Sequence, residues 1–172
     1  MYNHYDGPPY YPFRRSPYHW NVPTHPAYYG YPAYHPQIPY RQVQDSGKKP
    51  FVININEAAK HNQTYRTAIW TGEHLQVTLM SIQVGDDVGL EIHPHTDQFL
   101  RIEAGQGIVK MGATKDRLDF EQNVTDDDAI MVPAGTWHNI INTGHVPLKL
   151  YTIYAPPHHP FGTIEHTHTT HR

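Results

Sequence analysis

Residues 89–157 read GLEIHPHTDQFLRIEAGQGIVKMGATKDRLDFEQNVTDDDAIMVPAGTWHNIINTGHVPLKLYTIYAPP. The stretch divides into runs of strand length: GLEIHP, QFLRIEAG, QGIVKMG, RLDFEQN, AIMVPAG, HNIINTG and PLKLYTIYAPP. Each is closed by Gly, Pro, Asn or Asp. Short runs of β-formers recurring about every 8–12 residues predict an all-β sandwich or barrel. Helical periodicity is nearly absent, and nothing repeats at solenoid or propeller periods.

Working outward toward the N-terminus, HLQVTLMSIQV (74–84) alternates well. Its apolar parity shifts between Leu79 and Met80, which predicts a β-bulge there. QTYRTAIW (63–70) reads as extended, NEAAKHN (56–62) as a single helical turn, and FVINI (51–55) as a short run of β-formers. Near Lys49 the composition changes abruptly. Ten tyrosines, from Tyr2 to Tyr40, alternate there with prolines from Pro8 to Pro39, and Leu is absent. Prolines at this density remove ladder donors and fix the chain near polyproline geometry. With so few aliphatic side chains, too little apolar area is buried to offset the ordering entropy. Residues 1–48 are therefore expected to form an extended, mostly disordered arm, 49–160 a β-barrel and 161–172 a His-rich tail.

The whole chain has 172 residues, enough for one domain of ordinary size. Thirteen Lys and Arg against sixteen Asp and Glu leave a formal charge of -3, which argues against a dedicated nucleic-acid or anionic-membrane binder. There is no Cys, so disulfide scaffolds, thiolate metal sites and cysteine nucleophiles are excluded together. No apolar run approaches the roughly 18 residues of a membrane span. The start, MYNHYDGPPYYPFRR, lacks the apolar core of a signal peptide, so cytoplasmic synthesis is expected. Fifteen histidines supply nitrogen donors in excess and make the net charge sensitive to pH near 6.

Two segments carry a specific spacing. Gly85 is followed by DDVGL, Glu91-Ile92-His93, PHTD, Gln98, FLRIEA and Gly105; further on come Pro133-Ala134-Gly135, Thr136-Trp137, His138, NII and Asn142. Together they resemble the two signature motifs of the cupin superfamily, and the DQF-RIE-G-G and WHN-IN-G runs are similar to the single-domain cupins labelled mannose-6-phosphate-isomerase-like. The resemblance covers residue 51 to about residue 160. It implies a double-stranded β-helix, or jelly-roll barrel, and a homodimer. It also implies a metal position at Glu91, His93, Gln98 and His138. The family pattern has His where Glu91 stands, Glu where Gln98 stands, and Gly where Asp127 stands. The first two exchanges move the single carboxylate without changing the ligand charge.

Strand parity is consistent with that set. Glu91 and His93 are two apart and share a strand face, as do Gln98, Leu100 and Ile102, and His138, Ile140 and Asn142. Imidazole and carboxylate donors without sulfur suit a divalent Mn, Fe, Ni, Co or Zn ion, and two His with one carboxylate form a facial set with open positions. Gln98 is then a weak fourth ligand or a hydrogen-bond donor to substrate. The alternative is a pair of buried histidines that satisfy a carboxylate without metal. His95 is a rival ligand only if the strand continues past Pro94; otherwise it is solvent-exposed. Asp126, Asp127 and Asp128 read as a solvated hairpin turn. Arg101 and Glu103 lie opposite the pocket face, for cross-strand pairing or an oligomer contact. His158, His159, His166, His168 and His171 read as a loose surface chelator.

Three functions follow from different classes. One is a metal-dependent isomerase, lyase or dioxygenase acting on a small polar, sugar-like substrate. The second is a ligand-binding module without turnover. In the third, the arm, whose composition resembles spore-coat proteins, contacts other assembly proteins and builds the chain into a coat.

Overall fold

In the computed structural model, residues 43–168 are described. The arm expected over 1–48 therefore lies outside the described residues except for its last six positions. Among the described residues there is one helix, α1 (Ile55–His61), and nine strands: β1 (Arg66–Thr71), β2 (Gln76–Ile82), β3 (Asp97–Ala104), β4 (Gln106–Gly112), β5 (Phe120–Thr125), β6 (Ala129–Val132), β7 (Trp137–Asn142), β8 (Leu148–Ala155) and β9 (Ile164–Glu165). They form a six-stranded sheet, β6-β3-β8-β2-β1-β9, and a three-stranded sheet, β5-β4-β7. All named pairs are antiparallel. Their inner faces share one core that joins Met80, Leu100, Ile102 and Leu150 of the larger sheet to Val109, Val124 and Ile140 of the smaller. This is the jelly-roll barrel expected from the strand pattern and the resemblance.

Three local expectations are corrected. FVINI is not a strand. Asn54 accepts a hydrogen bond from Glu57 N (3.2 Å) and caps α1, so Ile55 opens a helix, with Lys60 and His61 in its last turn. Nor is β2 bulged, since its register with β8 runs unbroken from Gln76 to Ile82. The parity shift has another cause: Leu79 packs outward against Ala58 and Ala59 of α1, while Met80 packs inward, so the strand is apolar on both faces. The irregularity lies instead in β1, between Ala68 and Trp70. GLEIHP, finally, is held by one isolated bridge, Glu91 to His138, with a second just before it from Asp87 to Ile141, rather than by a continuous ladder.

The folded unit also passes both boundaries drawn from composition. Ser46 N donates to Ile69 O (3.0 Å), and the Asp45 carboxylate accepts from Thr71 Oγ1 (2.6 Å) and Gly162 N (3.0 Å). At the other end, β9 pairs with β1. A single carboxylate and a two-residue strand thus draw residues 43–48 and 161–165 onto the sheet, where composition assigned them to arm and tail. The Asp126–Asp128 segment is the hairpin turn expected: Asp127 is left-handed at φ 71°, and Asp128 accepts from Thr125 N (2.8 Å). Arg101 and Glu103 pair with each other along β3, and Glu103 also accepts from Asn56 of α1. Glu103 is fully buried, so its carboxylate ties helix to sheet rather than facing another molecule.

Candidate metal centre

Glu91 sits where its backbone is fastened to the start of β7. Glu91 N donates to His138 O (3.0 Å), and His138 N donates to Glu91 O (2.9 Å). Two residues on, His93 O accepts from Gly135 N (2.9 Å). These bonds bring two segments distant in sequence side by side and set three side chains toward one point. Glu91 Oε1 lies 3.3 Å from His93 Nε2 and 3.4 Å from His138 Nε2. One donor atom from each residue falls within 4.8 Å of the others. Both imidazoles are buried, and the carboxylate is partly exposed.

The tautomer of His138 follows from its neighbours. Its Nδ1 stands 3.0 Å from Thr136 O, an atom that only accepts, so Nδ1 carries the proton and Nε2 presents a lone pair. That Nε2 is buried and has no hydrogen-bond partner. A lone pair facing a carboxylate oxygen in a buried site needs positive charge between them. Burial alone pushes the Glu91 pKa up; positive charge facing it, on the His138 and His93 rings or on a cation between them, outweighs burial and holds the carboxyl well below the usual range. An ionised oxygen and two nitrogens suit a divalent cation. Donors held about 2.0–2.2 Å from one ion lie roughly 3–3.5 Å apart, as Glu91 Oε1 does from each imidazole nitrogen. The group fits.

The remaining expected residues fall differently. Gln98 is buried and faces the interior: its Nε2 donates to Thr152 Oγ1 (3.2 Å), while its Oε1 has no partner. His95 is exposed and lies outside the group of three.

Three residues that the sequence reading did not select line the same space. The Tyr154 ring is fully buried and meets His93 edge-on at 5.6 Å. Burial pushes its hydroxyl up to about 12. The His158 ring lies 4.1 Å from that of His93, centroid to centroid, and partial burial, with His93 beside it, lowers its pKa. Arg66, from β1, is buried with Nη1 on Glu165 (2.8 Å). Parity with Leu150 and Thr152 is the signal that would have placed Tyr154 inside. His158 offered none, because it is brought in by the Gln76 side chain, which donates to His159 O and accepts from His159 N, both at 2.9 Å, across 83 residues.

Residues 78–154 match the family model described as cupin domain. The chain is 69% identical over 125 residues to YrkC of Bacillus subtilis, covering 73% of this chain and 67% of that one. It is 44% identical over 116 residues to L612 of Acanthamoeba polyphaga mimivirus, covering 67% and 71%. The crystal structure of BH2720 from Bacillus halodurans superposes with a TM-score of 0.72 at 63% identity, covering 72% of this chain and 94% of that one.

Proposed function

The chain belongs to the cupin family, and from that membership we propose that Glu91, His93 and His138 hold a divalent Mn, Fe, Co, Ni or Zn ion that serves a small, oxygen-rich, sugar-like substrate. The observation that carries the reading is the unpartnered, buried Nε2 of His138, with its tautomer fixed by Thr136 and its lone pair turned to Glu91. Such an ion would supply Lewis-acid or dioxygen chemistry, which would serve an isomerase, lyase or dioxygenase. The chain supplies the rest. The backbone bridge between Glu91 and His138 fixes two of the ligands relative to each other before anything binds. Gln98 adds either a weak fourth ligand or, through its unused Oε1, a partner for a substrate hydroxyl. His158 and Tyr154 form an aromatic wall against His93.

The test is metal content of the full chain after chelation, reloading and gel filtration. Near one ion per chain is expected for the wild type, above a tail background that remains in the doubly substituted His93→Ala, His138→Ala protein. Equal content in the two proteins refutes the reading.

A second reading rests on residues 1–48, whose tyrosine- and proline-rich composition suits a chain incorporated into a spore coat or similar layer. Deleting residues 1–42 separates the two. Metal content survives under the first reading; under the second, incorporation into the assembly is lost while the barrel stays folded.

A further inference from the structure

The outer face of the larger sheet, on the side away from the triad, carries a concavity of its own. Leu79 and Ile69 pack there with Ala58 and Ala59 of α1, and Ile53, Ile55 and Val77 surround them. Residues 48–55 cross this face before the helix begins. The Trp70 indole donates to Lys49 O (2.8 Å) and holds the start of the crossing against β1, while the Asn54 cap fixes its end at α1. Residues 50–54 belong to no strand, and Pro50 lacks a donor for a ladder. Between this segment and the sheet lies a groove of about 680 Å³, lined by residues 48–53 and Ile55 on one side and by Ile69, Trp70 and Val77 on the other. Small-molecule sites run from roughly 300 to 1,000 Å³.

Charge separates this groove from an ordinary apolar patch. Lys48 and Lys49 line it and are exposed, and among the described residues neither ammonium has a hydrogen bond or an ion pair. No acidic side chain lines it. Asp45, three residues before Lys48, is spent on Gly47 N, Thr71 Oγ1 and Gly162 N. The crossing segment grades from basic at 48–49 to apolar at 50–53, so positive charge gathers at one end and hydrocarbon along the rest. Val52 is 96% exposed and Phe51 39%, which leaves apolar surface wet beside two uncompensated cations. A ligand that answers both halves has one anionic head and one apolar chain. A second copy of this chain answers neither, because a two-fold contact sets a patch against its own image and would bring four lysines together.

We infer that the groove binds a single-chain carboxylate amphiphile of the fatty-acid class, its carboxylate received by Lys48 and Lys49 and its chain laid between residues 50–53 and the Ile69–Val77 floor. The inference goes beyond the metal reading and stands without it, since no residue of the triad lines the groove.

The test is titration calorimetry of the full chain, chelated beforehand so that no carboxylate is held by a metal, with decanoate, hexanoate and 1-decanol. Each methylene taken out of water is worth up to about fourfold in affinity, so decanoate, with four more than hexanoate, should bind at least tenfold more tightly. It should also bind roughly fivefold more tightly than 1-decanol, which lacks the charge. Replacing both lysines, Lys48→Gln with Lys49→Gln, should erase that preference and leave 1-decanol unchanged. Val77→Phe, which fills the floor, should weaken decanoate at least tenfold. Should Val77→Phe not fold, the lysine double variant, altered only at exposed positions, decides. Decanoate binding no tighter than hexanoate or 1-decanol, or unchanged in the folded variants, overturns the inference. So does dimerisation, or sedimentation with phosphatidylglycerol vesicles, that the lysine substitutions abolish in a chain that takes up no decanoate; the groove then belongs to a second copy or to a membrane surface.

Discussion

Replacing Glu91 with Gln keeps shape and backbone but removes the only carboxylate among the three proposed ligands. Glu91 Oε1 stands 3.3 and 3.4 Å from the two imidazole nitrogens, so an ion held by the triad would lie within direct reach of that oxygen. At an effective dielectric constant of 20, two unit charges 4 Å apart interact by about 4 kcal/mol. Losing a carboxylate beside a divalent ion therefore costs several kcal/mol, of which the amide oxygen restores part. A net loss of about 2.7 kcal/mol, a hundredfold in affinity, is a conservative expectation. Metal supplied at one hundred times the wild-type Kd stabilises the wild type by about 2.7 kcal/mol, but the variant, then near its own Kd, by about 0.4 kcal/mol. At roughly 2–4 °C per kcal/mol the wild type gains about 5–11 °C in Tm and Glu91→Gln about 1–2 °C. Differential scanning calorimetry of the chelated protein, before and after metal addition, reads both. Equal shifts in the two proteins would refute the triad as the binding site, because the ion would then be held elsewhere.

Acid stability depends on His159, whose pKa burial and then the nearby Arg66 hold down to about 3, far below the roughly 6.5 of a free imidazole. Between those values the unfolded chain binds a proton that the folded one does not, so stability falls as pH drops below about 6.5 and keeps falling toward about 3. His159→Gln should flatten that slope, measured as urea midpoints at pH 7 and pH 5. At Gly112 an added Cβ would stand 1.9 Å from Arg117 O and 2.7 Å from Leu118 Cα; Gly112→Ala is expected to cost about 1–3 kcal/mol or more, read by urea unfolding. Asn142 donates to Ile82 O and Val146 O and accepts from Gly144 N, all at 2.9 Å. Asn142→Leu leaves those backbone groups unpaired, and a loss of about 2 kcal/mol or more is expected by the same measurement; a loss under 0.5 kcal/mol would show the turn held by other contacts.

The strands with one face in the core were legible because burial imposes a period of two. Buried Gln98 and Leu100 on β3, and His138, Ile140 and Asn142 on β7, alternate with more exposed neighbours as their parity requires. The same rule failed at β2, where α1 covers the outer face and apolar residues occupy both parities. Propensity failed at FVINI, where the Asn54 cap outweighs a run of β-formers. Glu91, His93 and His138 were singled out by the resemblance of two motifs to a known family, and the bridge between Glu91 and β7 accounts for their convergence. Arg66, Tyr154 and His158 stayed hidden because their meeting depends on which strands become neighbours and on a side chain reaching across 83 positions, neither of which local sequence encodes.

That reach has a practical corollary. Experimenters worried about histidine scavenging of nickel or zinc would naturally truncate this protein after Ala155. Doing so would discard the clasp formed with Gln76, the ion pair between Arg66 and Glu165, and the His158 ring tilted against His93. An emptied vessel measured that way would reflect the scissors and not the cup. Substituting exposed His166 alone, with every other position retained, trims one stray chelator and spares the rim.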